Sequence, residues 1–163
     1  MPTTLADRLG FDTIAGFERS APKRLEEGNF LAKRYRLTAI YLYGYAAEMI
    51  LKAAYFKNLR LSPVAEIDRD TRNRAMAVAR SLKLTSGDPH DIPGWARLLV
   101  WYKEDLGRVA YEPKFSRKIV ANAQTIYENW RPEMRYRSMS PTTNDVLGVR
   151  AATEWLVNSY PKL

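Results

Sequence analysis

The stretch that most constrains the fold is residues 36–57, RLTAIYLYGYAAEMILKAAYFK, which is apolar on almost every side of a helix. Apolar side chains recur at three- and four-residue steps on one broad side and continue around most of the other. A helix that is hydrophobic all round is a buried one, and a helix of this length would span roughly 33 Å, the width of a small domain. The sequence therefore predicts a bundle built around this buried central helix.

Two charged residues interrupt the apolar helix. Glu48 and Lys52 lie four residues apart with the acid first, the favourable order for an ion pair within a helix. A carboxylate in the apolar part of a buried helix needs a cation or a hydrogen-bond donor. We expect Arg135 or Arg131 to reach back to Glu48, because a guanidinium can satisfy a buried carboxylate with two bonds. The alternative is that Glu48 and Lys52 line a nucleotide pocket.

The rest of the chain shows helical patterns and none of the period-2 alternation typical of strands. Ser20 and Pro22 suit the start of a first helix, and Thr142 to Asp145 suit the start of the last. The fold class is therefore expected to be all-α, with five or six helices. Besides the central helix, the expected helices cover residues 20–35, 71–83, 93–106, 116–130 and 142–160.

The length of 163 residues predicts one all-α domain, 1–163, since a chain of this size can bury about 70% of its unfolded surface. Residues 1–13 are expected to be a short lead-in to the first helix. Clusters of proline, glycine and charged residues predict three connecting loops, at 58–70, 84–93 and 131–141.

Composition excludes several classes of function. The chain has no cysteine, which rules out disulfides, thiolate zinc sites and cysteine nucleophiles. Neither a secretory leader nor an apolar run of about 18 residues occurs, so we expect no membrane association and a soluble, cytoplasmic protein. The net charge of +8 and the pI near 9.8 favour an acidic partner such as nucleic acid or a nucleotide.

Motifs of the common nucleotide and metal sites are absent. No glycine-rich phosphate loop occurs, and His90 is the only histidine, so a His-rich metal site is impossible. We therefore predict no metal and no cofactor. His90 and Asp91 lie in a Pro/Gly-rich loop, where we expect them to cap the following helix. A general acid–base role for His90 is the catalytic alternative.

Three segments together resemble the HEPN superfamily of small helical bundles. Residues 41–53, YLYGYAAEMILKA, are similar to that family's Gly-x-Ala-x-Glu-x-x-Leu-Lys second helix. Residues 90–99, HDIPGWARLL, look like its His-Asp-Leu start of a middle helix. Residues 127–137, YENWRPEMRYR, are similar to its tryptophan followed by Arg-Tyr before the last helix. The segments lie in the family's order within about residues 18–160.

The resemblance implies a bundle of four or five helices, often a homodimer, linked to RNA cleavage, toxin–antitoxin pairs, phage defence or nucleotide binding. Catalytic members carry an arginine separated by four to six residues from a histidine. Before His90, the positions that this spacing requires hold Lys83, Leu84 and Thr85, and the nearest preceding arginine is Arg80. Histidine moves protons near neutral pH and arginine stabilises phosphorane charge, so we expect the usual ribonuclease mechanism to be absent.

A cationic and aromatic segment follows the fifth predicted helix. Arginines interleaved with flat rings suit the stacking of bases and the binding of phosphates. The alternative is a folded connection whose rings pack on the bundle while its arginines neutralise carboxylates. The candidate ligand-binding residues are Lys52, Arg131, Arg135, Tyr136 and Arg137.

These observations predict a HEPN-like binding module, without ribonuclease activity, that engages a nucleotide, RNA or a partner protein in a defence or toxin–antitoxin type system. One alternative is a divergent, metal-independent HEPN ribonuclease that uses His90 with an arginine close in space. The other is a structural partner subunit that has no nucleic-acid ligand and binds a protein encoded nearby.

Overall fold

The structure, a computed structural model, describes residues 10–105, 110–138 and 140–163. Within these residues the chain forms six α-helices, two short 3-10 helices and no strand, which confirms the all-α fold class. The α-helices are α1 (Ile14–Leu31), α2 (Arg36–Asn58), α3 (Arg69–Ser81), α4 (Ile92–Asp105), α5 (Pro113–Asn129) and α6 (Thr143–Ser159). The 3-10 helices are Pro132–Tyr136 and Tyr160–Lys162.

The buried central helix predicted from the sequence is α2. It packs against α1, α4, α5 and α6, and its side chains Tyr43, Ile50, Leu51 and Phe56 are almost completely buried. Burial of each large apolar side chain contributes about 1.5–3 kcal/mol, so this helix is a major source of the stability of the bundle. No helix in the described part of the chain has the length and apolar character needed to cross a membrane.

Two glycines let bulky rings lie directly on the backbone of a neighbouring helix. A Cβ atom on Gly44 of α2 would overlap the indole ring of Trp130, and one on Gly28 of α1 would overlap the ring of Tyr43. The Trp130 indole N–H also donates to the backbone carbonyl of Tyr41 at 3.1 Å. These contacts set the close spacing of α2 from α1 and from the end of α5.

The first helix begins earlier than the sequence analysis predicts. Thr13 caps α1 by accepting the backbone N–H of Gly16 at 2.9 Å, and the helix continues through Pro22. The predicted start at Ser20 is therefore wrong, because the Thr13 hydroxyl satisfies a first-turn donor and packing against α2 sustains a helix that contains proline. Residues 1–9 of the predicted lead-in lie outside the described residues.

The remaining boundaries lie within a few residues of the predicted ones. Asp68 caps α3 by accepting the Thr71 N–H at 2.7 Å, and a reciprocal capping box between Thr142 and Asp145 starts α6. The third predicted loop contains the short 3-10 helix before α6. The predicted end of the fourth helix, at residue 106, lies outside the described residues.

Candidate functional site

Glu48 is the buried charge around which the candidate site is built. Its carboxylate is almost fully buried and accepts from the Lys52 ammonium, one turn later on α2, and from Nδ1 of His90, at 3.1 and 3.2 Å. The internal ion pair expected from the spacing of Glu48 and Lys52 is confirmed. Within the described part of the chain neither Arg131 nor Arg135 lies within ion-pair distance of Glu48, so the predicted arginine partner is wrong.

The register of the 3-10 helix along α2 explains this error. The 3-10 helix Pro132–Tyr136 packs on α2, and the Arg135 guanidinium lies beside the hydroxyl of Tyr41. Tyr41 precedes Glu48 by two helical turns, about 10 Å along the axis. Arg135 therefore reaches α2 too far from the carboxylate, and its guanidinium lies 4.7 Å from the centroid of the Tyr136 ring instead.

The loop before α4 holds His90 against Glu48. Asp91 caps α4, since its carboxylate accepts a first-turn N–H of that helix at 2.8 Å and the Thr85 hydroxyl at 2.7 Å. Asp88 accepts the backbone N–H of His90 at 2.8 Å. The predicted capping role of Asp91 is confirmed. The same prediction for His90 is wrong, because its imidazole turns to the buried carboxylate on α2.

Contact with Glu48 governs the charge of His90. The hydrogen bond to the Glu48 carboxylate raises the pKa of His90 above its ordinary value, against partial burial, which lowers it. The His90 side chain is 37% exposed. Because Nδ1 is bonded to the buried carboxylate, Nε2 is the ring nitrogen that this bond leaves available for a ligand. An imidazole nitrogen held in this way can donate or accept a proton.

Glu48 keeps its negative charge although it is buried. Burial alone would raise the pKa of Glu48, but the hydrogen bond from His90 and the charge of Lys52 outweigh it and hold the pKa below its ordinary value. The Lys52 ammonium also lies 5.2 Å from the centroid of a Trp95 ring, a favourable cation–π distance. The positive charge of Lys52 is therefore stabilised both by the Glu48 carboxylate and by the Trp95 ring.

Glu48, Lys52 and His90 line a cleft of about 510 Å³. Residues of α1, α2, α3 and the loop before α4 form its walls. Tyr45 of α2 is one of them, and its ring contacts the Trp130 ring edge-on at a centroid distance of 5.4 Å. Cavities of this size are within the range that holds small ligands.

Positive charge predominates on the walls of this cleft. Arg69 and Arg72 of α3 join Lys52, and the carboxylates among the lining residues are Asp12 and Glu48. Arg72 donates to Asp12 at 2.6 Å while its side chain stays 30% exposed. Three cations against two carboxylates leave a net positive charge, which protonation of the histidine increases. We call this site the anion cleft.

Arg69 and Arg72 are not among the site residues predicted from the sequence. Arg69 falls in the predicted loop 58–70, and Arg72 in the helix predicted next to it. Their three-residue spacing is the one available signal, because it places two cations on the same face of a helix. Nothing local in the sequence indicates that this face of α3 lies opposite Glu48.

The five residues predicted to bind a ligand do not converge on one cavity. Lys52 lines the anion cleft, whereas Arg131 and Arg137 line a second cavity of about 650 Å³ beside the 3-10 helix. Arg135 and Tyr136 line neither cavity and are exposed on the surface of that helix. The predicted set is therefore divided between a cleft, a second cavity and an exposed surface.

No three His, Cys, Asp or Glu side chains of the described residues lie close enough together to hold a metal ion.

No protein-family model, curated protein or solved structure matches the chain. The resemblance to HEPN bundles thus stays a prediction.

Proposed function

We propose that this protein is a binding module for a phosphate-bearing ligand of the nucleotide or RNA class, which it holds in the anion cleft. The observation that carries the proposal is the convergence of Lys52, Arg69, Arg72 and the partly exposed side chain of His90 on one cavity of about 510 Å³. Guanidinium groups match phosphate oxygens in geometry and charge, and histidine adds a donor whose charge changes near neutral pH.

The cations of the cleft have different parts in the proposed complex. Asp12 orients the Arg72 guanidinium and accepts from only some of the five N–H donors of that group. The remaining donors can therefore bind a phosphate. Arg69 is exposed at the first position of α3 and is placed to fold over a bound ligand. The Lys52 ammonium is bound to Glu48, so it contributes to the positive field of the cleft rather than to direct contacts.

Binding of AMP and of a fluorescein-labelled eight-nucleotide RNA tests the proposal. The double variant Arg69→Ala/Arg72→Ala is expected to weaken binding about tenfold or more, because each lost cation removes a charge-assisted contact. The affinity of the parent is expected to fall steeply as salt increases, because phosphate neutralisation releases counterions. Fluorescence polarisation and competition measure both effects.

A matched control has the same net charge and leaves the cleft intact. Lys114→Ala/Arg117→Ala removes two exposed cations near the start of α5, roughly 20 Å along that helix from Trp130. We expect this variant to bind nearly as tightly as the parent. An equal loss in both double variants, or an affinity that does not respond to salt, would contradict the proposal.

A second candidate function is metal-independent RNA cleavage that uses His90. The observation that favours it is the orientation of the imidazole: Glu48 holds Nδ1, which leaves Nε2 available, and the partly exposed ring lines a cleft that also contains Arg69 and Arg72. A histidine oriented by a carboxylate suits general acid–base catalysis, and a nearby arginine suits stabilisation of a phosphorane.

Incubation with single-stranded RNA tests this second candidate. Cleavage by the parent that disappears in His90→Ala would support it. Absence of product at high protein concentration would count against it and leave binding as the function.

The proposed biological setting comes from the HEPN resemblance rather than from the cleft. We propose a cytoplasmic homodimer in a defence or toxin–antitoxin type system, with a partner protein encoded nearby. Light scattering coupled to size-exclusion chromatography tests the dimer: a mass near twice 18.8 kDa supports it, and a mass near 18.8 kDa contradicts it. A stable complex with a neighbour-encoded protein, without RNA or AMP binding, would favour the partner-subunit alternative.

A further inference from the structure

An exposed arginine–tyrosine pair lies outside the anion cleft. In the 3-10 helix Pro132–Tyr136, the Arg135 guanidinium lies 4.7 Å from the Tyr136 ring centroid, and Tyr136 is 75% exposed. The Arg131 guanidinium, just before this helix, lies 3.5 Å from the ring centroid of Tyr127. Packing does not account for a tyrosine ring this exposed, whereas a flat ring beside a cation suits a base next to a phosphate.

Two tyrosines connect this exposed pair with the anion cleft. Tyr45 lines the cleft, and Tyr41 lies one turn away on α2, with 3.3 Å between their hydroxyls and 4.8 Å between their ring centroids. The Arg135 guanidinium lies beside the Tyr41 hydroxyl. Both tyrosines are partly exposed. A continuous polar and aromatic surface therefore runs from the cleft through Tyr45 and Tyr41 to Arg135 and Tyr136.

We infer that the ligand is a single strand of nucleic acid several nucleotides long, which extends from the anion cleft across Tyr45 and Tyr41 to a stacking position on Tyr136. The inference rests on the proposed function and narrows its ligand from any nucleotide to an oligonucleotide. One phosphate group occupies the cleft, Arg135 contacts a later phosphate, and an unstacked base lies on Tyr136. A duplex keeps its bases in its own stack and has none to place there.

Ligand length and strandedness test the inference. The competitors are AMP, an eight-adenosine RNA, the corresponding deoxyadenosine octamer, and a G·C-rich RNA duplex of eight base pairs, which stays paired at room temperature. Each displaces a fluorescein-labelled RNA octamer from the parent protein. We expect at least one single-stranded octamer to bind about tenfold or more tightly than AMP and the duplex, since each stacked base adds affinity. Tight binding of either sugar form supports the inference.

Variants of the exposed pair give a second test. Tyr136→Ala and Arg135→Ala are each expected to weaken octamer binding about fivefold or more, with no change in AMP affinity, because AMP reaches only the cleft. Tyr136→Phe keeps the ring and is expected to keep octamer affinity. Arg69→Ala/Arg72→Ala is expected to weaken octamer and AMP alike. Arg135 and Tyr136 are exposed, so their variants should fold like the parent.

Failure of this inference differs from failure of the proposed function. Equal affinities for AMP and the octamers, or an equal loss for both ligands in Tyr136→Ala, would overturn the extended path and leave the anion cleft as a nucleotide site. A duplex that binds as tightly as the single strand would also overturn it. If the parent binds none of these ligands, the proposed function itself is overturned, and the inference with it.

Discussion

Glu48 is satisfied by two donors that differ in chemistry and in origin. Lys52 comes from the same helix, whereas His90 comes from the loop before α4. A buried carboxylate with good partners is stable, but removal of its charge leaves a buried cation without a counter-ion. Glu48 therefore anchors that loop to α2 and keeps the imidazole in place at the edge of the anion cleft.

Loss of the Glu48 charge is expected to destabilise the protein strongly. Glu48→Gln should lower the free energy of unfolding by about 3 kcal/mol, because the ammonium of Lys52 stays buried without a counter-ion. Urea denaturation measures the change. Arg135→Gln, at the position that the sequence analysis wrongly paired with Glu48, should leave the unfolding midpoint unchanged. A comparable loss of stability in both variants would show that the assigned partners are incorrect.

Stability is expected to fall as pH rises through the folded-state pKa of His90. Glu48 raises the pKa of His90 above the ordinary value of 6.5. The contact between protonated His90 and Glu48 therefore contributes its full stabilisation of the folded protein below about pH 6.5. This contribution is lost as the pH rises through the higher pKa of His90 in the folded protein. The Glu48 pKa is lowered, so its own contribution is lost only as the solution becomes acidic, below its ordinary value of 4.5.

Urea denaturation of the parent and of His90→Asn between pH 6 and pH 9 measures this dependence. In His90→Asn, the decrease in the free energy of unfolding with rising pH should be smaller by the amount that the imidazole contributes. Identical pH profiles for the two proteins would mean that His90 does not contribute through its charge.

At the scale of elements, α2 supplies several of the residues that line the anion cleft. Tyr45, Glu48 and Lys52 follow each other at three- and four-residue steps, so they share one face of this helix. The ring of Trp130, at the end of α5, lies over Gly44 and contacts the His90 ring edge-on, with 6.4 Å between centroids. The spacing between α2 and α5 therefore affects the position of the imidazole.

A methyl group on Gly44 is expected to disturb this spacing. Gly44→Ala should destabilise the protein by about 1–3 kcal/mol, because the new Cβ overlaps the buried indole of Trp130. Gly148→Ala is the matched control within α6, where a Cβ meets no atom, and it should be neutral or stabilise by up to about 1 kcal/mol through helix propensity. Thermal denaturation compares them, and equal effects would contradict the close contact.

At the scale of the whole molecule, one continuous hydrophobic core joins the helices. Its buried members in the described residues come from all six α-helices, including Ile14 of α1, Ala75 of α3 and Leu156 of α6. Helices that share one core stabilise each other and are expected to unfold together. The anion cleft lies on this scaffold, which explains how a helix as short and polar as α3 can present its arginines in a defined position.

Unfolding in urea is therefore expected to be one cooperative transition. Far-UV circular dichroism reports the helices, and tryptophan fluorescence reports the core through the buried Trp95 and Trp130. The two signals should have the same midpoint. Separate midpoints would show that part of the bundle unfolds independently, contrary to the single domain predicted from length.

Local patterns in the sequence determined the helical class, the burial of α2, the Glu48–Lys52 pair and the capping of α4 and α6. These features depend on residues three or four positions apart, so helical geometry alone relates them. Local patterns were insufficient for the start of α1. There, tertiary packing keeps Pro22 inside a helix that the sequence by itself would begin later.

Only the tertiary structure decided which side chains form the site. His90 lies 42 residues from Glu48 in sequence, and the path of the loop before α4 determines their contact. The positions of Arg69 and Arg135 likewise follow from the way α3 and the 3-10 helix dock on the bundle. A shift of two turns along α2 separates the predicted arginine contact from the observed one, and that register depends on the packing of large side chains from several helices at once.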